Sequence, residues 1–318
     1  MQFASMWEQN QYELLDFGAG RKLERFGGVL LDRPAPAAAG ASPADASLWK
    51  QVDARFELAP TPQAGAARGN WIVQREVPTP WTIDHGSFTC ELKPTDFGHV
   101  GLFPEQAANW DWIAARIGDG NKQEPREHNA SESSSVSSSE QIGEQIKVLN
   151  LFAYTGASTL AAAAAGASVT HVDSAKNVVA WARRNAALSN LATASVRWIA
   201  EDAVKFVRRE LKRGQKYDAL ILDPPSYGHG PAGEVWKIEL HLTELLSLCR
   251  ELLAPQPRFV LLSAHAPDFD PPALTEHLIR AGYDHRPGEI EADEIFITAR
   301  DGRRLQSGAM ARILAHYR

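Results

Sequence analysis

The sequence predicts an α/β protein, with a doubly wound, mostly parallel sheet and a smaller N-terminal β-rich domain. Three observations carry that expectation. Over residues 146–318, β-type and α-type segments alternate with short turns, as in a parallel sheet covered on both faces. Residues 1–118 read instead as short strands punctuated by Gly and Pro, closing on one connecting helix. Between them, residues 119–145, DGNKQEPREHNASESSSVSSSEQIGEQ, have almost no large apolar side chain. Such a stretch cannot bury enough surface to offset its ordering entropy, so a flexible insertion is expected, with a phosphoserine tract as the sharper alternative.

The elements follow in order. YELLDFG and RFGGVLLDRP flank a Gly-rich turn and predict paired strands, and WKQVDARFELAP, GNWIVQREVP and GSFTCELKP continue the pattern. ASLWK predicts a brief helix. EQAANWDWIAARI sets Ala107, Trp110, Ile113 and Ile117 at helical spacing. Beyond the insertion, IKVLNLFAY is a continuous apolar run, the mark of a strand buried on both faces. STLAAAAAG (helix), SVTHVD (strand) and the amphipathic AKNVVAWARRNAALSN (helix) come next. SVRWIA, AVKFVRRELKRG and YDALILD predict strand, helix and strand. EVWKIELHLTELLSLCRELLA predicts one long helix, RFVLLSA a strand, PALTEHLIRAG a helix and AMARILAHY the last strand.

Composition narrows the class. The 318 residues are 44% apolar and 23% charged, ordinary for a soluble globular protein. A formal net charge of -6 gives no global attraction to nucleic acid. Only two cysteines, Cys90 and Cys249, occur, with no Cys/His cluster, so neither a disulfide framework nor a metal site is expected. The start has no basic segment leading an apolar core, and the Ala-rich run STLAAAAAGASVTHV is too polar at its ends to span a bilayer. A cytoplasmic protein with no membrane partner is expected.

In an open α/β sheet the ligand lies beyond the carboxyl ends of the strands. Those ends carry Ala153-Tyr154-Thr155-Gly156, Asp173-Ser174, Glu201-Asp202-Ala203, Asp223-Pro224-Pro225 and Ser263-Ala264-His265. Singly, an acid there is an N-cap and a glycine is a turn. Three acids converging on one crevice are harder to dismiss, and Asp173 follows Gly156 by 17 residues, close to the spacing at which an acid grips a ribose. A dinucleotide's pyrophosphate needs G-x-G-x-x-G, whereas here Gly156 stands alone beside bulky Tyr154 and Thr155. S-adenosylmethionine has no phosphate; Asp173 suits its ribose diol, Asp202 its adenine amine, and Ala203 could pack on the ring.

On this reading the double proline has a purpose. Methyl transfer is an in-line displacement, so the protein has chiefly to orient two reactants. A rigid Asp223-Pro224-Pro225 corner can accept hydrogen bonds from a base's amino group, and Tyr227 can stack on an extruded base.

At these residues the sequence resembles the class I S-adenosylmethionine-dependent methyltransferases, a Rossmann-like fold. More narrowly it is similar to the group of bacterial large-subunit ribosomal RNA cytosine-C5 and guanine-N7 methyltransferases. VLNLFAYTGASTLAAAAAGASVTHVDSAKNVVAWARRNAALSNL looks like that group's first two motifs, YDALILDPPSYG like its fourth, and TDFGHVGLFPEQAANWDW like an altered upstream segment. The resemblance implies cofactor contacts at Phe152, Tyr154, Thr155, Gly156, Asp173, Ser174, Asp202, Ala203, Asp223 and Pro224, with Ala153 in the same turn. Phe103 and Gln106 would face the cofactor too, while Pro104 and Glu105 replace what the group usually shows.

Cytosine-C5 transfer needs a thiolate to add to the ring. The fifth strand ends on Ser263, Ser226 follows the fourth, and Cys249 reads as core, so a nitrogen target is expected instead. The expected catalytic group is Asp223, Pro224, Pro225, Tyr227 and His265, the last as general base, with His229 in reach of substrate. An RNA substrate, ribosomal by resemblance, would find basic helix faces at Arg183, Arg184, Lys205, Arg208, Arg209, Lys212 and Arg213, and a further three basic residues in GRKLERFGG. A small-molecule or protein methyltransferase, with the β domain as a lid or a homodimer contact, is the alternative; a cofactor-binding module without turnover is a third.

Overall fold

The computed structural model describes residues 7–59, 68–121, 145–230, 233–283 and 289–314. Strands β1 (Tyr12–Gly18), β2 (Arg21–Phe26), β3 (Val29–Pro34), β4 (Ala54–Leu58) and β5 (Gly69–Val73) form a five-stranded sheet in sequential order. Pairing is antiparallel except between β3 and β4. RFGGVLLDRP is therefore not one strand: Gly27, at φ +58°, turns the chain and splits it between β2 and β3. The expected brief helix is a 3-10 turn over Leu48–Gln51. A separate hairpin joins β6 (Thr82–His85), which the sequence reading passed over, to β7 (Phe88–Glu91).

Helix α1 (Ala107–Asn121) buries Ala107, Trp110, Ile113 and Ile117, the stripe its spacing predicts. Its first turns share a core with Phe26 and Trp81 of the N-terminal region, while Trp112, Ile113 and Ile117 pack on Val148, Val169, Ala219 and Phe259 of the second sheet. Residues 119–121 of the expected insertion are helical; 122–144 lie outside the described residues.

The second sheet is built from β8 (Lys147–Leu151), α2 (Ala157–Ala164), β9 (Ser168–Asp173), α3 (Lys176–Leu188), β10 (Val196–Ala200), α4 (Ala203–Lys212) and β11 (Ala219–Leu222). A small hairpin, β12 (Tyr227–His229) and β13 (Val235–Lys237), leads to α5 (Ile238–Glu251), β14 (Phe259–Ala264), α6 (Pro271–Arg280), β15 (Ile290–Thr298) and β16 (Arg304–Leu314). Its strand order is β10-β9-β8-β11-β14-β16-β15, parallel from β10 to β14, with β16 antiparallel to both neighbours. Strand order reverses between β8 and β11, which sets the ligand crevice above their carboxyl ends.

Two expectations need correcting. The long helix begins only at Ile238, because Trp236 is drawn into the β12–β13 hairpin: its indole N–H donates to the Pro225 carbonyl at 2.7 Å and its ring sits 5.0 Å from Phe152. Of AMARILAHY, residues 309–314 are the second half of β16 and 315–317 lie outside the described residues; β16 pairs with β15, a strand the sequence reading left unmarked.

The two sheets are bolted together at the β15–β16 turn. Arg300 makes a backbone bond to Leu14 at 3.0 Å and grips Glu13 with both Nε and Nη2, at 2.9 and 2.8 Å. Arg303 reaches Asp16 at 2.5 Å. Among the described residues no helix is long and apolar enough to cross a membrane.

Candidate active site

The apolar run of β8 ends in a turn with an unusual backbone. Phe152 (φ 56°), Tyr154 (φ 49°) and Gly156 (φ 95°) are all left-handed, which only glycine adopts freely. A Cβ at Gly156 would also come within 3.1 Å of the Ala182 Cβ on α3. Neighbouring groups hold the turn in this shape. Asp173 Oδ2 accepts the Tyr154 N–H and Oδ1 the Ala175 N–H, both at 3.0 Å. The Asn185 amide donates to the Thr155 carbonyl at 2.9 Å, and the Thr155 hydroxyl to the Gly101 carbonyl at 2.5 Å. Asn185 is fully buried and was missed; a polar side chain three residues after Ala182 in the apolar stripe of α3 was its signal.

Asp173 is the chemically open group here. Burial pushes its carboxyl above the usual range, and the two backbone N–H bonds only partly oppose this. Each oxygen keeps acceptor capacity beyond its backbone partner, so the carboxylate suits a pair of incoming hydroxyls. Ser174 follows it, half-buried. Asp202 caps α4, one oxygen accepting the Lys205 N–H at 2.9 Å, so its N-cap role is realised whatever else it binds. Ala203 packs beneath the crevice with Leu151 and Val172. This donor set fits a phosphate-free nucleoside: paired carboxylate acceptors, one lone glycine, and a turn blocked to pyrophosphate by Tyr154 and Thr155.

The second cluster surrounds Asp223. Its Oδ1 accepts the Ser263 hydroxyl at 2.6 Å and faces His265 Nε2 at 3.3 Å; its Oδ2 lies 3.4 Å from Gln106 Nε2. Ser263 was noted in the sequence only as a missing thiol; its hydroxyl is a working part of the cluster. Burial alone would raise the Asp223 carboxyl, but the His265 charge and the Ser263 hydroxyl hold it below its usual range. His265 Nδ1 donates to the Ser307 carbonyl at 2.6 Å. Two-thirds covered, its ring is penalised for charge, yet the Asp223 carboxylate raises its pKa to about 9. The ring has partners at both nitrogens, Ser307 at Nδ1 and the Asp223 carboxylate at Nε2, and that carboxylate favours its charged form.

Phe103 joins the two clusters, its ring 5.2 Å from Tyr154, 6.2 Å from and stacked on His265, and 5.0 Å from exposed His99. Pro224 is buried and Pro225 exposed, its carbonyl held by Trp236. Tyr227 is 37% exposed, but its hydroxyl lies 3.1 Å from His229 Nε2, so these two residues engage each other on their own hairpin. Cys90 and Cys249 are both fully buried, and burial pushes the Cys90 thiol up to about 12 and the Cys249 thiol far above its usual range.

The expected phosphate track is largely neutralised. Arg184, Arg208, Arg209 and Arg213 pair with Glu91, Glu244, Glu201 and Glu210 at 2.5–3.1 Å, and Lys205 pairs with Glu234. All three basic residues of GRKLERFGG are likewise paired, Arg21 with Asp32, Lys22 with Glu24 and Arg25 with Glu13. Arg213 and Lys22 find their acids within their own elements, but the other acids come from elsewhere in the chain. Two grooves, of about 580 and 500 Å³, lie away from the crevice. The first runs between β1 and β15–β16, the second beside His85 and the end of α3.

The ion pair makes a pH prediction. His265 titrates near 9 folded and near ~6.5 unfolded. Its contribution is full below the unfolded value and lost as pH rises through about 9. The stability gap between wild type and His265→Gln, read by urea unfolding, should narrow across that range and narrow again in acid as Asp223 protonates. A gap independent of pH would show that the pair does not form.

The chain is similar to known proteins. A profile of S-adenosylmethionine-dependent methyltransferases matches residues 136–283. The crystal structure of the SAM-dependent methyltransferase from Agrobacterium tumefaciens is 32% identical, with a TM-score of 0.82 over 98% of this chain and 92% of that one. Ribosomal RNA large subunit methyltransferase K/L of Shewanella frigidimarina is 34% identical over 119 residues, 36% of this chain and 16% of that protein. Ribosomal RNA large subunit methyltransferase I of Aeromonas hydrophila is 34% identical over 105 residues, 33% of this chain and 24% of that protein. The matched region spans less than a quarter of the length of either curated relative.

Proposed function

This chain belongs to the S-adenosylmethionine-dependent methyltransferases, and on that premise we propose that it methylates a nitrogen of a ribosomal RNA base presented at the Asp223 corner. The methyl donor supplies an electrophilic carbon on a sulfonium. Asp173 would hold the ribose hydroxyls, Asp202 the adenine amine, and the turn over Phe152, Ala153, Tyr154, Thr155 and Gly156 the rest of the nucleoside, with Ser174 and Ala203 at its edge. Phe103 and Tyr154 cover the space between donor and acceptor and exclude water.

The observation that carries the nitrogen assignment is the Asp223 cluster. A carboxylate offers about four acceptor positions. Ser263, His265 and Gln106 occupy three, which leaves one on Oδ2 for an amino N–H of the acceptor. That bond turns the nitrogen lone pair along the transfer line, while Pro224 and Pro225 fix the corner. The nitrogen–carbon bond forms as the carbon–sulfonium bond breaks and neutral S-adenosylhomocysteine leaves; the methylated nitrogen is then acidic and gives its proton to the Asp223 carboxylate it faces, so no base is needed before attack. The thiolate route to cytosine C5 lacks its nucleophile, both cysteines lying in the core.

The names of the two curated relatives support ribosomal RNA as substrate. A small-molecule or protein acceptor is favoured by a different observation, the pairing of the basic helix faces with acids. Purified protein and labelled S-adenosylmethionine, given rRNA from wild-type and deletion strains, separate the two. Label is expected in large-subunit rRNA from the deletion strain alone. Label confined to protein or small-molecule fractions would overturn the RNA reading.

A further inference from the structure

Behind the Asp223 corner runs a line of three buried polar side chains, Arg312, Asn109 and Gln106, exposed by 3%, 3% and 6%. They come from β16, α1 and the 3-10 turn that precedes α1. Arg312 Nη2 donates to Asn109 Oδ1 at 2.6 Å, Asn109 Nδ2 donates to Gln106 Oε1 at 2.6 Å, and Gln106 Nε2 emerges toward two acceptors, Ser263 Oγ at 3.2 Å and Asp223 Oδ2 at 3.4 Å; His265 Nε2, 3.1 Å away, accepts from it only when that nitrogen carries no proton.

The order of these bonds has one consequence. An amide presents an acceptor and a donor of nearly the same shape, so either end can face a given neighbour. A guanidinium has donors only. Arg312 therefore forces Asn109 to face it with oxygen, Asn109 must then offer nitrogen to Gln106, and Gln106 is left with its N–H pointing at the Asp223 carboxylate. The other neighbours of Arg312 are looser: Glu291 lies 3.9 Å away, the Trp112 ring 4.7 Å, and the edge of Arg312 lines the groove beside β15 with Asp293 and Glu294.

We propose that Arg312 and Asn109 are positioning residues that set the polarity of Gln106, keeping a donor rather than a carbonyl against Asp223 in the acceptor site. The idea rests on the reading of the Asp223 corner as that site. Reversed, Gln106 would set its carbonyl against the carboxylate, turning Asp223 away from the substrate amino group and raising its affinity for a proton.

Two substitutions at Asn109 test this. Asn109→Asp keeps the shape and gives Arg312 a carboxylate, but cannot donate, so Gln106 must turn over. Asn109→Leu removes the relay without imposing the wrong orientation and leaves Arg312 unpaired. Thermal stability is expected to follow Asp at or above wild type, then Leu. Turnover is expected to rank otherwise: wild type, then Leu, then Asp, with kcat in Asn109→Asp reduced about a hundredfold and S-adenosylmethionine affinity within about twofold of wild type. The acid limb of its kcat profile should move to higher pH.

A merely structural role predicts that turnover tracks stability, with Leu the worse variant; that ranking, or wild-type kcat in Asn109→Asp, overturns the proposal. If Asn109→Asp fails to fold, Arg312→Met, which removes charge and donor together, carries the test, and unreduced kcat there overturns it equally. The ranking is read on whichever acceptor the wild-type enzyme labels, so failure of the RNA reading alone leaves it standing.

Discussion

Asp223→Asn is expected to lower kcat by about 10²–10³-fold while S-adenosylmethionine affinity stays within about twofold. The substitution is nearly isosteric, but it replaces one acceptor oxygen by a donor. Turned one way the new NH2 meets the Gln106 donor; turned the other it meets Ser263 and His265, which accept it only if the hydroxyl rotates away and the imidazole gives up its Nε2 proton. His265 loses the charge that holds its pKa near 9 and should titrate lower. The acceptor position left for the substrate amino group is lost or misdirected. Single-turnover kinetics and calorimetry separate the two effects. Equal losses in binding and turnover would place Asp223 on the cofactor instead.

Asp173→Ala should show the opposite pattern, weakening S-adenosylmethionine affinity by about tenfold to a hundredfold. Two hydroxyls bonded to a carboxylate are worth about 1.5–3 kcal/mol each, and part of that is recovered by water in the truncated site. The variant also leaves the Tyr154 and Ala175 N–H groups without their acceptor, so the left-handed turn that shapes the crevice loosens. In the wild type, affinity should fall on the acid side, because burial raises the Asp173 pKa and a protonated carboxyl accepts fewer hydrogen bonds. The sign for folding is the reverse: a raised folded pKa means the native state holds this proton more tightly, so on this group's account the free protein gains stability as pH falls through it. Calorimetry across pH reads the first effect and urea unfolding the second. Unchanged affinity in Asp173→Ala removes this residue from the site.

What could be read from the sequence was what short-range physics dictates. Continuous apolar runs at 146–154 and 217–223 give central strands, and the stripe Ala107, Trp110, Ile113, Ile117 gives α1. The acids at strand ends mark the crevice, because a parallel sheet aims them there. What could not be read depends on partners far along the chain. Strand β15 alternates acids with apolar residues at the sheet edge and declares itself only by pairing with β16. Trp236 leaves the helical pattern because its indole finds the Pro225 carbonyl. The basic faces of α4 and β2 look free until Glu201, Glu244 and Glu13 reach them from other elements. The Arg312–Asn109–Gln106 line joins residues more than 200 positions apart, and nothing local distinguishes an arginine in AMARILAHY from a surface one.

A crystal structure with S-adenosylhomocysteine bound tests the central claim most directly. The ribose hydroxyls should lie within about 3 Å of the Asp173 carboxylate, with the sulfur turned toward Asp223. Ligand in the groove between β1 and β15–β16, or a sulfur directed away from Asp223, would contradict the account.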